Sequence, residues 1–194
     1  MLIFELCKSL NLSHFCSTLL VMELKRNIYL IGPRACGKTS IGRALATSLG
    51  VDFIDTDHAL VESVGMEISD YIDANGWDGF REKESDILSS VSSSSPKVVG
   101  CGGGIVLREQ NRSLLSGGTV IYLKASVDTL VQRLMADPNE MQRPSLTGKP
   151  LDEEVREILA ERAPLYERCA DIILPEGEID EIVQYAMYKL DNIS

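Results

Sequence analysis

The chain has 194 residues, 44% of them hydrophobic and 25% charged, with a formal net charge of −10 at neutral pH. That length suits one domain with a sizeable core, and the composition is ordinary for a soluble globular protein. The acidic balance, with a pI near 4.7, excludes a general nucleic-acid binder, so any anionic ligand needs a locally basic site.

Residues 1–21 read as an N-terminal extension outside the fold. Within it, residues 15–22 are apolar but too short to cross a membrane, and Glu23, Lys25 and Arg26 follow directly. An upstream start with Met22 opening the domain is the favoured reading, a targeting peptide the weaker one. Five cysteines, Cys7, Cys16, Cys36, Cys101 and Cys169, show no C-x-x-C or Cys/His ligand spacing. They point to free thiols in a reducing, cytoplasmic setting and away from a disulfide or zinc framework.

The most informative stretch is LIGPRACGKTS over 30–40. It fits G-x-x-x-x-G-K-[ST] through Gly32, Gly37, Lys38 and Thr39, with Pro33, Arg34, Ala35 and Cys36 between and Ser40 after. The apolar run Ile28, Tyr29, Leu30, Ile31 precedes it as a strand over 29–31, and a helix over 38–49 follows, stopped by Gly50. The glycines let successive backbone N–H groups point at phosphate oxygens, with the positive end of the helix behind them. Lys38 then reaches the β/γ-phosphates and the Thr39 hydroxyl is a ligand for Mg²⁺. The plainer reading is a glycine-rich turn with a solvated lysine. Cys36 reads as a small side chain at a variable loop position, with redox sensitivity as a side reading.

Downstream, a short strand over 52–54 ends in Asp55-Thr56-Asp57. Helical pieces break at Gly65 and near Asn75-Gly76, and a helix over 77–88 carries Phe80, Arg81 and Glu84. Serines 92–95 with Pro96 form a polar connector. A strand over 97–100 runs into Gly102, Gly103 and Gly104; a short helix over 109–115, a strand over 119–123 and a helix capped by Ser126 and running to 135 follow. Residues 136–150 hold three prolines and a glycine among charges, which marks a functional lid. A helix over 151–167, a strand over 171–174 and a helix over 179–190 close the chain. Strands separated by helices predict an α/β fold, a five-stranded parallel sheet covered on both faces.

Several residues have two readings. Asp55 and Asp57 stand at the carboxyl end of a strand, where α/β proteins bind ligands; a bare D-x-D also caps helices. Beside a phosphate loop, one carboxylate helps hold Mg²⁺ and the other accepts a hydroxyl proton. Arg81 and Glu84 share a helix face, as a surface ion pair or as a carboxylate-gripping arginine with its orienting partner. Arg143 is an arginine of the lid or a solvated loop charge. Arg162, just before Ala163-Pro164, is also explained by dipole stabilisation at a helix end.

Taken together, GPRACGKTS, DTD, GFREKE, the glycine triplet, QRPSLTGKPL and ERAPLY resemble the shikimate kinases in order and spacing, from about residue 27 onward. The lid stretch RPSLTGKPL is the most specific part and looks closest to the subgroup found in Gram-negative enteric bacteria. The resemblance implies a three-layer P-loop NTPase fold of the nucleoside-monophosphate-kinase type, a single domain over 22–194, with a mobile lid. It implies transfer of phosphate from ATP to the 3-hydroxyl of shikimate, with Mg²⁺, in a cytoplasmic monomer without nucleic-acid or membrane partners. By position, Lys38 stabilises the transferring group, Thr39 and Asp55 hold the metal, and Asp57 binds ring hydroxyls and acts as base. Arg81 and Arg162 grip the carboxylate, helped by Gly103 and Gly104 after Gly102, with Glu84 orienting Arg81. Arg143 comes in with the lid and Arg133 lies against adenine. The segment 174–180 departs from the family order of an aspartate followed by a proline, so its adenine contacts do not carry over. The rival activities are a gluconate- or nucleoside-monophosphate-type kinase and a nucleotide-binding module without turnover.

Overall fold

The structure, a computed structural model, describes residues 24–136 and 147–193. The expected extension over 1–21 and Arg143 lie outside the described residues, as does all of the expected lid except Ala136 and residues 147–150.

Five strands form one parallel sheet: β1 (Ile28–Ile31), β2 (Phe53–Asp55), β3 (Val98–Gly100), β4 (Thr119–Leu123) and β5 (Ile172–Leu174), in the order β2-β3-β1-β4-β5. β1 and β4 are buried along their whole length, which is why they read in the sequence as unbroken apolar runs and not as alternating ones. In register, Leu30 of β1 stands beside Gly100 on one side and Ile121 on the other. Neighbours along β1 point to opposite faces. Ile28 and Leu30 enter a core built with α1 (Lys38–Leu49) and α7 (Ile179–Asp191), through Leu45, Ala46, Val183 and Ala186. Tyr29 and Ile31 enter a second core built with α2 (Thr56–Val64), α3 (Ile68–Ser92), α4 (Glu109–Leu115) and α6 (Leu151–Cys169), through Leu60, Leu88, Leu115 and Tyr166. The remaining helix, α5 (Val127–Ala136), packs mainly on α6. This is the three-layer P-loop fold of the nucleoside-monophosphate-kinase type.

The chain punctuation follows the sequence closely. Gly50 ends α1 with its N–H bonded to Ala46 and Thr47 carbonyls. α3 is one helix by hydrogen bonding but is kinked at Gly76, whose φ of 72° and ψ of 172° only glycine adopts readily. The break expected near Asn75-Gly76 is therefore a bend within one element. α3 also continues to Ser92, whose hydroxyl bonds Leu88 O and accepts from the Tyr29 hydroxyl; the connector starts one residue later than expected. Because β1 lies between β3 and β4, the connections leaving the carboxyl ends of these strands diverge and open a crevice there. No helix among the described residues is long and apolar enough to cross a membrane.

Candidate active site

The crevice begins with the phosphate loop. Gly32, at φ 146°, passes so close to β4 that a side chain there would stand 2.8 Å from Leu123 O and 2.9 Å from Cys36 Sγ. Gly37 caps α1 with φ 103°, and Ala35 at φ 61° is the one non-glycine residue with positive φ among the described residues. Such conformations cost energy and cluster where backbone meets a ligand. Lys38 folds back over the loop, its ammonium donating to Gly32 O at 3.0 Å and Pro33 O at 2.7 Å. Buried Cys36 lies below, its sulfur 3.6 Å from the same nitrogen.

Beside the loop, the Thr39 hydroxyl donates to Asp55 Oδ2 at 2.8 Å. The other oxygen of Asp55 accepts from the N–H groups of Asp57 and His58 and so caps α2. Capping and the loop contact are thus two uses of one carboxylate. Asp57 follows in the first turn of α2. Buried Thr56 accepts from Gly102 N–H at 2.9 Å, which ties the glycine triplet to this helix.

Arg81 and Glu84 are not a surface pair. Their side chains are 14% and 2% exposed, with Nη1 to Oε2 at 2.8 Å. The Arg81 guanidinium lies 5.0 Å from the ring centre of Phe80 and 5.6 Å from that of Trp77, contacts that hold a cation in place. It crosses the face of Gly104, where any side chain would overlap it. Burial pushes the Glu84 carboxyl above its ordinary pKa, the Arg81 charge only partly opposing this.

For Arg162 the helix-end alternative fails. α6 continues past Pro164 to Cys169, so Arg162 stands two turns from the helix end, where the dipole has faded. It is 8% exposed and reaches Gly103 O with Nη1 at 3.4 Å. The Tyr166 hydroxyl donates to the same carbonyl and its ring stacks on Tyr122, with centroids 5.1 Å apart. With the Gly103 carbonyl held from behind, the N–H groups of Gly103 and Gly104 have no hydrogen-bond partner among the described residues.

At the opposite end, Arg133 of α5 donates to Ala35 O at 3.3 Å. Pro175, Glu176, Gly177 and Ile179, in the segment that departs from the family order, form a wall here. Glu176 fixes that wall by accepting from Ser126 N at 3.2 Å. Hydrogen bonds, first from Thr129 and then from Ser126, hold its carboxyl below the ordinary value, against the opposing effect of burial.

All these groups face one cavity of about 580 Å³. Pro33, Arg34, Ala35, Cys36, Gly37, Lys38, Thr39, Ser40 and Arg133 line one end; Asp55, Asp57, Arg81, Glu84, Gly103, Gly104 and Arg162 line the other. Gly32 and Gly102 lie behind this lining. The sequence reading missed Trp77, Tyr166 and Glu154. Trp77 is the chain's sole tryptophan and lines the cavity half-exposed, a signal that was available. Buried Glu154 accepts from the N–H and hydroxyl of Thr147 and belongs to no recognisable motif, whereas Tyr166 closes the stretch ERAPLY and was given no role there.

A donor end with a phosphate loop and an acceptor end with two arginines is the layout of a small-molecule kinase, and the comparisons agree. The shikimate kinase family model matches residues 34–191. Shikimate kinase 2 of Salmonella schwarzengrund is 49% identical over 162 residues, spanning 80% of this chain and 89% of that protein. Among solved structures, a shikimate kinase from Acinetobacter baumannii in complex with shikimate superposes with a TM-score of 0.81 at 32% identity, over 88% of this chain and 96% of that one. One from Bacteroides thetaiotaomicron does so with a TM-score of 0.76 at 31% identity, over 86% and 98%. The chain is a kinase and belongs to the shikimate kinase family.

Proposed function

We propose that the protein transfers the γ-phosphoryl group of ATP to the 3-hydroxyl of shikimate, giving ADP and 3-phosphoshikimate. The observation that carries this reading is the meeting, in one cavity, of the Lys38 loop with Asp57 and two largely buried guanidiniums, Arg81 and Arg162. Two arginines beside free backbone N–H groups suit a carboxylate, since a guanidinium presents two parallel donors to its oxygens. Asp57 accepts the proton of the attacking hydroxyl, and Glu84 keeps Arg81 oriented.

At the donor end, Lys38 exchanges its bonds to Gly32 O and Pro33 O for the phosphates. Thr39 and Asp55, two oxygen donors already in contact beside the loop, fit Mg²⁺, which in kinases takes few protein ligands and completes its shell with phosphate and water. Held there, the ion would supply positive charge against that on the transferring phosphoryl group. Arg133 lies against the base, and Arg143 arrives with a lid that excludes water from the transfer. The protein works in the cytoplasm as a monomer, with residues 22–194 as its one kinase domain.

A coupled ADP-release assay with a panel of acceptors tests this. Shikimate is expected to stimulate release strongly, with gluconate and nucleoside monophosphates at background. Stimulation by one of those instead, or by no small acid at all, overturns the assignment in favour of another kinase or a module without turnover.

A further inference from the structure

Glu84 is the most deeply buried carboxylate of the acceptor end, and half of it is unused. Oε2 is paired with Arg81, whereas Oε1 has no hydrogen-bond partner among the described residues. That oxygen points at the bare face of Gly102, and so does Asp57 Oδ1: a side chain on Gly102 would stand 2.7 Å from each. A buried oxygen left without a donor is costly, and the cost is removed if the oxygen carries a proton of its own.

The groups facing Glu84 come from four elements: Arg81 on its own helix, Asp57 on α2, Arg162 on α6, and Cys101 at the end of β3. The Cys101 thiol is neutral, burial having pushed it far above its ordinary pKa. Two guanidiniums therefore face two carboxylates before the acceptor binds. An acceptor that brings its own carboxylate adds a third anion to the same two cations. Unbalanced charge in a dry pocket is relieved by protonating the group that burial already disfavours as an anion.

We propose that Glu84 takes up one proton from solvent, on Oε1, as the substrate's carboxylate joins Arg81 and Arg162, and gives it back when the product leaves. This rests on the shikimate kinase reading above. The neutral carboxyl keeps its Oε2 contact with Arg81 but no longer competes for its charge, and its new O–H is directed toward Asp57. The proton is borrowed, not consumed, because the product carries the same carboxylate as the substrate.

Calorimetric titration of the full-length enzyme with shikimate, at one pH in buffers of different ionisation enthalpy, reads the protons exchanged on binding. The wild type is expected to take up a substantial fraction of one proton per shikimate bound. In Glu84→Gln that uptake should vanish while shikimate still binds, the amide retaining a neutral contact with Arg81. Binding without proton uptake in the wild type overturns the inference and leaves the kinase reading standing, as does uptake that persists in Glu84→Gln. If shikimate does not bind at all, both fall. Should Glu84→Gln fail to fold, infrared difference spectra of the wild type decide: a protonated-carboxyl band must grow on adding shikimate, and its absence overturns the proposal.

Discussion

Replacing Gly104 by alanine tests the acceptor clamp without removing a single charge. Gly104 has φ −94° and ψ 0°, values open to any residue, so alanine brings no backbone strain. Its methyl group, however, falls on the Arg81 guanidinium, the free end of a flexible side chain, which must swing aside. The fold should lose about 1 kcal/mol or less, the usual range for a tolerated substitution. The clamp should lose more: one charge-assisted hydrogen bond to a carboxylate is worth roughly 1.5–3 kcal/mol, which is about ten- to 150-fold in affinity. Steady-state assays varying shikimate at saturating ATP, then the reverse, separate the two ends of the cavity. KM for shikimate is expected to rise by that factor with KM for ATP nearly unchanged. An unaltered KM for shikimate, or a parallel rise in both, refutes the idea that Arg81 held across Gly104 grips the acceptor.

Lys38→Met should lower kcat by about 10²-fold or more, the scale of one preorganised transition-state contact; near-normal turnover would remove Lys38 from the chemistry. Asp55→Asn should keep the α2 cap, since asparagine caps as well as aspartate, while raising the Mg²⁺ concentration needed for half-maximal activity; an unchanged Mg²⁺ titration would break the Thr39–Asp55 assignment. Glu84 predicts a pH signature in stability. Its folded pKa is raised above the ordinary carboxyl value of 4.5, so the native state holds the proton more tightly and stability falls as pH climbs from that value through the folded one. Thermal melts of Glu84→Gln against wild type should show the difference moving in favour of glutamine across that window and then levelling; a difference independent of pH would count against the buried acid.

The phosphate loop and the order of strands and helices could be read from the sequence because each has a local cause, whereas most acceptor-side positions, and Arg133, came from the family resemblance. β1 and β4 are continuous apolar runs, α1 stops at a glycine, and the spacing of Gly32, Gly37, Lys38 and Thr39 is rigid because successive N–H groups must converge. What escaped has non-local causes. Dipole stabilisation at a helix end was one reading of Arg162, and only the assembled fold shows it two turns inside α6 and reaching Gly103 O. The 3-10 turn at Ile105–Leu107 is too short to show a period. For Arg81 and Glu84 the spacing left a surface ion pair and an oriented clamp both open, because only the assembled cavity buries the pair. The segment after β5 departs from the family pattern in sequence, yet it still forms a wall of the cavity through Glu176, whose partners at Ser126 and Thr129 lie some fifty positions earlier.

The suspension of the glycine triplet also sets an order of assembly. Gly102 is tied to Thr56, 46 positions upstream, and Gly103 to Arg162 and Tyr166, 59 and 63 positions downstream. During synthesis the phosphate loop and its neighbouring strands are therefore available long before the acceptor pocket has its far side. A nascent chain that has emerged only as far as Ala136 holds the phosphate loop but neither Arg162 nor the wall at 175–179. It becomes able to hold an acceptor only when α6 docks, late in translation.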